Sequence, residues 1–169
     1  QYDIYERYAH GEMTSADSIK IDTTALFYTV KGRRVYGGGG IIPDIFVPID
    51  TTRASNFFIN CNKKAVQMRF ASYMFDKYRS ELSSFDNFNS LERWIDSIDM
   101  EGQFLSYAAR VEKLSPKTGE WEATKSYMMP QLKALVGRYS KLDDEAFYRF
   151  YLPIDETIQI ALKSSSRVE

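Results

Sequence analysis

The chain has 169 residues, enough for one ordinary domain or one domain with an appendage, and at 44% hydrophobic and 27% charged it has the composition of a globular protein. Its formal net charge of −1 leaves no basic excess to neutralise phosphates, which argues against a dedicated nucleic-acid binder, and no apolar run approaches the roughly 20 residues that span a bilayer. The single cysteine, Cys61, excludes an internal disulfide and any multi-cysteine zinc site. The chain opens on Gln1-Tyr2-Asp3 without a start methionine or signal peptide, which leaves its cellular address open.

In chain order, Tyr2, Tyr5 and Tyr8 recur at three-residue steps and predict a short helix that Gly11 stops. Residues 12–24 are rich in turn formers. Residues 26–31 (LFYTVK) are aromatic and β-branched and predict a strand; Gly32-Arg33 turns the chain, and Arg34–Tyr36 returns. Four glycines follow, Gly37 to Gly40, and then a short apolar strand bracketed by Pro43 and Pro48. Near residue 52 the period changes. Phe57, Cys61, Ala65, Met68, Phe75 and Tyr78 predict one apolar face on a long helix over residues 54–80. A second helix carries Phe88, Leu91, Trp94 and Ile95, capped by Ser84 or Asp86, and a third carries Phe104, Tyr107, Ala108, Val111 and Leu114. The turn 115–119 leads to a fourth over residues 121–139, with Leu132, Leu135, Val136 and Tyr139 inward and Pro130 as a first-turn residue or a kink. Asp143 or Asp144 caps a fifth helix, Pro153 breaks the chain, and Asp155 opens the last.

The residues offer no free-standing active site. A Ser/His/Asp or Cys/His catalyst needs an imidazole, and the one histidine, His10, lies in a polar turn. Cys61 falls on an apolar helix face and reads as a small core residue. A Ser/Lys catalyst needs a buried lysine; no S-x-x-K occurs, and the lysines of Ser18-Ile19-Lys20 and Ser140-Lys141 read as solvated. Gly37–Gly40 are not followed by Lys-Ser or Lys-Thr or by a helix, so close packing or a bulge explains them better than phosphate binding. The carboxylates Asp96, Asp99 and Glu101, and Asp143, Asp144 and Glu145, sit at helix ends, where capping accounts for them. No cofactor and no metal ligand set is expected.

The stretch from Tyr28 to Val47 (YTVKGRRVYGGGGIIPDIFV) resembles a segment of carboxyl-terminal processing (tail-specific) serine peptidases, in which Gly-Arg, Gly-Gly-Ile and Pro-Asp follow in this order just after the catalytic core. Gly32, Arg33, Gly40, Pro43 and Asp44 match as a structural signature. The upstream run Tyr5–Met13 with Ser15–Ile19, and downstream Leu132–Leu135 and the helix from Asp155 to Leu162, are similar to one subgroup of that family. The resemblance implies an endopeptidase that cuts polypeptides near their C-termini with a serine nucleophile and a lysine base, in the periplasm or cell envelope. Neither the Ser-Ala-Ser-type turn nor the Gly-Lys-Gly lysine occurs here, and both precede the matching segment in the family, so no catalytic residue carries over and this chain alone is expected to be inactive.

The expected fold is α+β: a small β segment of two or three short strands, then a mainly helical C-terminal bundle of five or six helices. Residues 1–50 are expected to form the end of a peptidase core and residues 51–169 a helical domain. The implied partners are the rest of the peptidase, polypeptide substrates and a second copy of the chain through self-association, but no nucleic acid. The helical region is expected to be structural, to gate substrate or to self-associate. The alternative is a non-catalytic module that binds a peptide or protein through a groove among its aromatics. In the first reading Arg33 and Asp44 contact each other or the missing core.

Overall fold

The computed structural model describes residues 2–19, 24–37, 43 and 45–165, and the chain divides into two compact units, residues 1–50 and 51–169. The first unit opens with α1 (Tyr2–Ala9), closed by Gly11 at φ +78°. A hairpin follows, β1 (Leu26–Tyr28) antiparallel to β2 (Arg34–Tyr36), with Leu26 opposite Tyr36, Phe27 opposite Val35 and Tyr28 opposite Arg34. Of the third strand expected before Pro48, the described residues 45–48 take no strand conformation and Ile45 is half-exposed; Gly38–Ile42 and Asp44 lie outside the described residues. Arg33 and Pro43 are described; Gly40 and Asp44 are not.

The second unit is helical: α2 (Asn56–Lys63), α3 (Val66–Lys77), α4 (Arg79–Leu82), α5 (Phe88–Ser97), α6 (Met100–Val111), α7 (Glu120–Gly137), α8 (Asp144–Tyr151) and α9 (Glu156–Ser165). The single long helix expected over residues 54–80 is three. Ala65 takes a left-handed conformation (φ 51°, ψ 39°) and inserts one residue between two helical phases. The buried positions therefore step from Phe57 and Cys61 to Val66, Phe70 and Met74, a five-residue jump, while Ala65 and Met68, expected on the apolar face, are exposed. One residue is about 100° of helix, so the break re-aims the whole of α3.

Caps follow local chemistry. Ser55 accepts from the Phe58 N–H, Asp99 from Gly102 and Asp155 from Ile158. The cap of α5 is Asn87, which accepts from the Ser90 N–H, and neither Ser84 nor Asp86: the Asp86 carboxylate is taken by Lys141. Asp143 caps α8 by position, at φ 45°, without a side-chain bond. Pro130 lies in the interior of α7, where its missing N–H costs one helical bond. Burial of Met128, Leu132 and Val136 on either side holds the helix through it. The core centres on a ring cluster in which Phe104 lies edge-on to Phe70 (centroids 5.2 Å) and Phe57 (6.3 Å) and tilted against Trp121 (6.0 Å). Tyr139, expected inside, lies just past α7 and is exposed, its ring stacked on Phe75 and its hydroxyl 2.8 Å from Ser72 Oγ.

Candidate functional site

Within the Tyr28–Val47 segment, residues 29–33 form a structured turn. The Gly32 N–H donates to the Thr29 carbonyl (2.8 Å), the Arg33 N–H to Thr29 Oγ1 (3.1 Å) and the Thr29 N–H to the Arg33 carbonyl (2.9 Å). Gly32 stands at φ +77°, which disfavours any residue with a Cβ. Thr29 closes this turn through three bonds, a role that sequence reading did not assign; its place three residues before a Gly in a hairpin is the signal that points to it. Gly37 has its own reason to be glycine: a Cβ there would lie 2.6 Å from the Phe27 ring. Its N–H extends the ladder to the Ala25 carbonyl (2.7 Å). Phe27, Tyr28 and Val30 are exposed, and none of residues 4–50 with a described side chain is buried.

The residues weighed for chemistry stay apart. His10 is exposed in the turn after α1. Cys61 is buried between the helices of the second unit, and burial, with a smaller contribution from Glu112, pushes its thiol up to about 12, so it carries no thiolate at neutral pH. Ser140 is buried and donates to the Gly137 carbonyl (2.6 Å), while Lys141 is exposed and paired with Asp86, so the two are not a Ser/Lys pair. Lys20 lies outside the described residues. Among the described residues no group of three or more His, Cys, Asp or Glu side chains is placed to hold a metal ion, and no helix is long and apolar enough to cross a membrane.

Two open clefts border α6. The larger, about 410 Å³, sits at the α5–α6 junction and is lined by Asp96, Asp99, Glu101, Met129 and Lys133 among others. Three of its charged groups are paired in place: Lys133 meets Asp96 at 2.5 Å, and Glu101 receives Lys125 at 2.6 Å and the Trp121 indole N–H at 2.6 Å. Those two hydrogen bonds, from Lys125 first and then Trp121, hold the Glu101 carboxyl below the usual range, and Glu101 in turn raises Lys125. The smaller cleft, about 300 Å³, runs between α3 and α6 over Tyr73, Lys77, Gln103, Ser106 and Arg110, with Asp99 and Gly102 at one end.

No family model, no curated protein and no solved structure matches the chain.

Proposed function

We propose that this chain is a non-catalytic C-terminal portion of a serine endopeptidase of the carboxyl-terminal processing type, acting outside the cytoplasm. The observation that carries the reading is the hairpin around Gly32-Arg33. It is closed by Thr29 and a positive-φ glycine, yet it presents Phe27, Tyr28 and Val30 to solvent. A two-stranded hairpin is marginal alone and gains stability when a further strand or an apolar face covers it. A neighbouring peptidase sheet is a fitting cover: it would pair with an open strand edge and bury those side chains. Helices α2 to α9 then serve as a rigid appendage that positions the core, gates substrate or brings two copies together. The nucleophile and base belong to residues outside this chain.

The test is cleavage of an unstructured polypeptide by this chain alone and by a protein in which a peptidase core precedes it. Only the longer protein is expected to cut, and Gly32→Val is expected to weaken its cutting while leaving α2 to α9 folded. Cleavage by this chain alone would overturn the reading.

A further inference from the structure

The α3–α6 cleft differs from its neighbour in one respect that bears on ligands. Helices α3 and α6 run antiparallel, with Arg69 paired to Glu112 (2.7 Å), the Tyr73 ring 5.3 Å from Tyr107, and Lys77 Nζ 2.6 Å from Gln103 Oε1. Between these contacts the groove holds two cations, Lys77 and Arg110, and among the described residues no carboxylate lies in ion-pair range of either. By contrast, Lys125 and Lys133, beside the other cleft, each have a carboxylate partner.

The donors here are also set. An ammonium can only donate, so the Gln103 atom facing Lys77 must be Oε1; the Tyr78 hydroxyl donates to the same oxygen at 3.3 Å. The Gln103 amide N–H groups therefore turn away from Lys77. Arg110 uses Nε on the Ser106 carbonyl of its own helix (3.4 Å), which leaves the terminal guanidinium nitrogens for another acceptor. Asp99 is the one carboxylate in the lining, and its Oδ1 already accepts the Gly102 N–H at 2.9 Å. The local balance is two positive charges against one negative, with the hydroxyl-bearing side chains of Tyr73 on α3 and Ser106 on α6 also in the lining.

From this geometry we infer that the groove between α3 and α6 binds an oxyanion group, a carboxylate or a phosphate, held by Lys77 and Arg110 and oriented by Gln103, Ser106 and Tyr73. A guanidinium fork offers two parallel N–H bonds to such a group, and the ammonium supplies a second charge from the facing helix. The inference goes beyond the peptidase reading and does not depend on it, since every residue it uses lies in residues 51–169.

The experiment is a calorimetric titration of the full chain with inorganic phosphate, with citrate and with an N-acetylated tetraglutamate peptide, at low salt. At least one is expected to bind, and in a parallel NMR titration the Gln103 side-chain amide signals shift. Replacing both cations, Lys77→Gln with Arg110→Gln, should weaken binding by about tenfold or more. Arg93→Gln, which removes a cation on α5 outside the groove, should leave affinity within about twofold. Tighter binding of the peptide identifies an acidic polypeptide segment as the source of the group; equal or tighter binding of phosphate or citrate identifies a small free anion. The proposal is overturned if none binds below about 10 mM, if Arg93→Gln weakens binding as much as the double variant, or if the Gln103 signals stay still while binding proceeds. Thermal unfolding of each variant separates loss of binding from loss of fold, and both changed side chains are exposed.

Discussion

Residues 1–50 carry the motif and residues 51–169 carry the core. In the first unit no described side chain is buried, and the hairpin is held by ladder bonds and one well-closed turn. In the second, twenty of the described hydrophobic residues are buried, and they pack α2 to α8 around one cluster of rings, while α9 buries none of its residues. The difference teaches where stability comes from in each. The helical unit draws it from apolar burial, which grows with area removed from water. The hairpin draws it from local bonds, each worth little against solvent, and so depends on cover. On the function proposed above, this segment would hold its most specific sequence where its own fold is weakest because a covering neighbour would complete it.

The largest effect that would sharpen this comparison is in the core. Phe104→Ala removes a ring packed against Phe57, Phe70 and Trp121 and should cost about 3–5 kcal/mol in urea unfolding. A cost below about 1 kcal/mol, the size of an exposed substitution, would mean that the ring cluster does not organise the unit.

How much of this was legible in the sequence differs between the units for the same physical reason. Helical periodicity is a burial signal, so α5 to α8 were readable from Phe88, Leu91, Phe104, Leu132 and Phe147, whereas α9, which buries none of its residues, was readable from its Asp155 cap. Ala65 was not. An alanine at φ 51° sits between Lys64 and Val66 with no Gly or Pro to mark it. The 3.6-residue count then placed Ala65 and Met68 inside when both face solvent. The Asn87 cap was displaced by one residue because Asp86 has a competing partner, Lys141, 55 positions away. In the first unit the turn at Gly32-Arg33 was readable from glycine chemistry, whereas a strand near Ile45 rested on composition alone. Of the α3–α6 groove nothing was legible: Lys77 and Arg110 meet one cleft only because two helices cross.

Smaller changes probe the two units separately. Gly32→Val forces a β-branched residue to positive φ, at a cost of about 1–2 kcal/mol to the hairpin. Cross-strand NMR contacts between Phe27 and Val35 should weaken while the unfolding midpoint of the helical unit stays put; a shift of that midpoint would mean that the hairpin contributes to the stability of the helical unit. Asn87→Ala removes the bond to the Ser90 N–H and should lower helical stability by about 1 kcal/mol, read in the same urea experiment.

The smallest effect is electrostatic. The Glu101 carboxyl is held below its usual range by Lys125 and Trp121, so its contribution to stability is present above the ordinary glutamate pKa and is lost as pH falls through the lowered folded value. Thermal unfolding followed across the acid range should show that decline in the parent and a flatter profile in Glu101→Gln. Both partners are substantially exposed, so the difference should be slight and should shrink with added salt. An unchanged acid profile would assign the Trp121 and Lys125 contacts no energetic role.

The comparison as a whole is tested most directly by residue-resolved hydrogen exchange on the intact chain. Strong protection is expected of amides in α3, α6 and α7, up to the global stability of the helical unit, and little protection of the hairpin amides of Thr29 and Gly37 despite their bonds to Arg33 and Ala25. Hairpin amides protected as strongly as those of α7 would contradict it, because residues 1–50 would then be stable without any cover from outside.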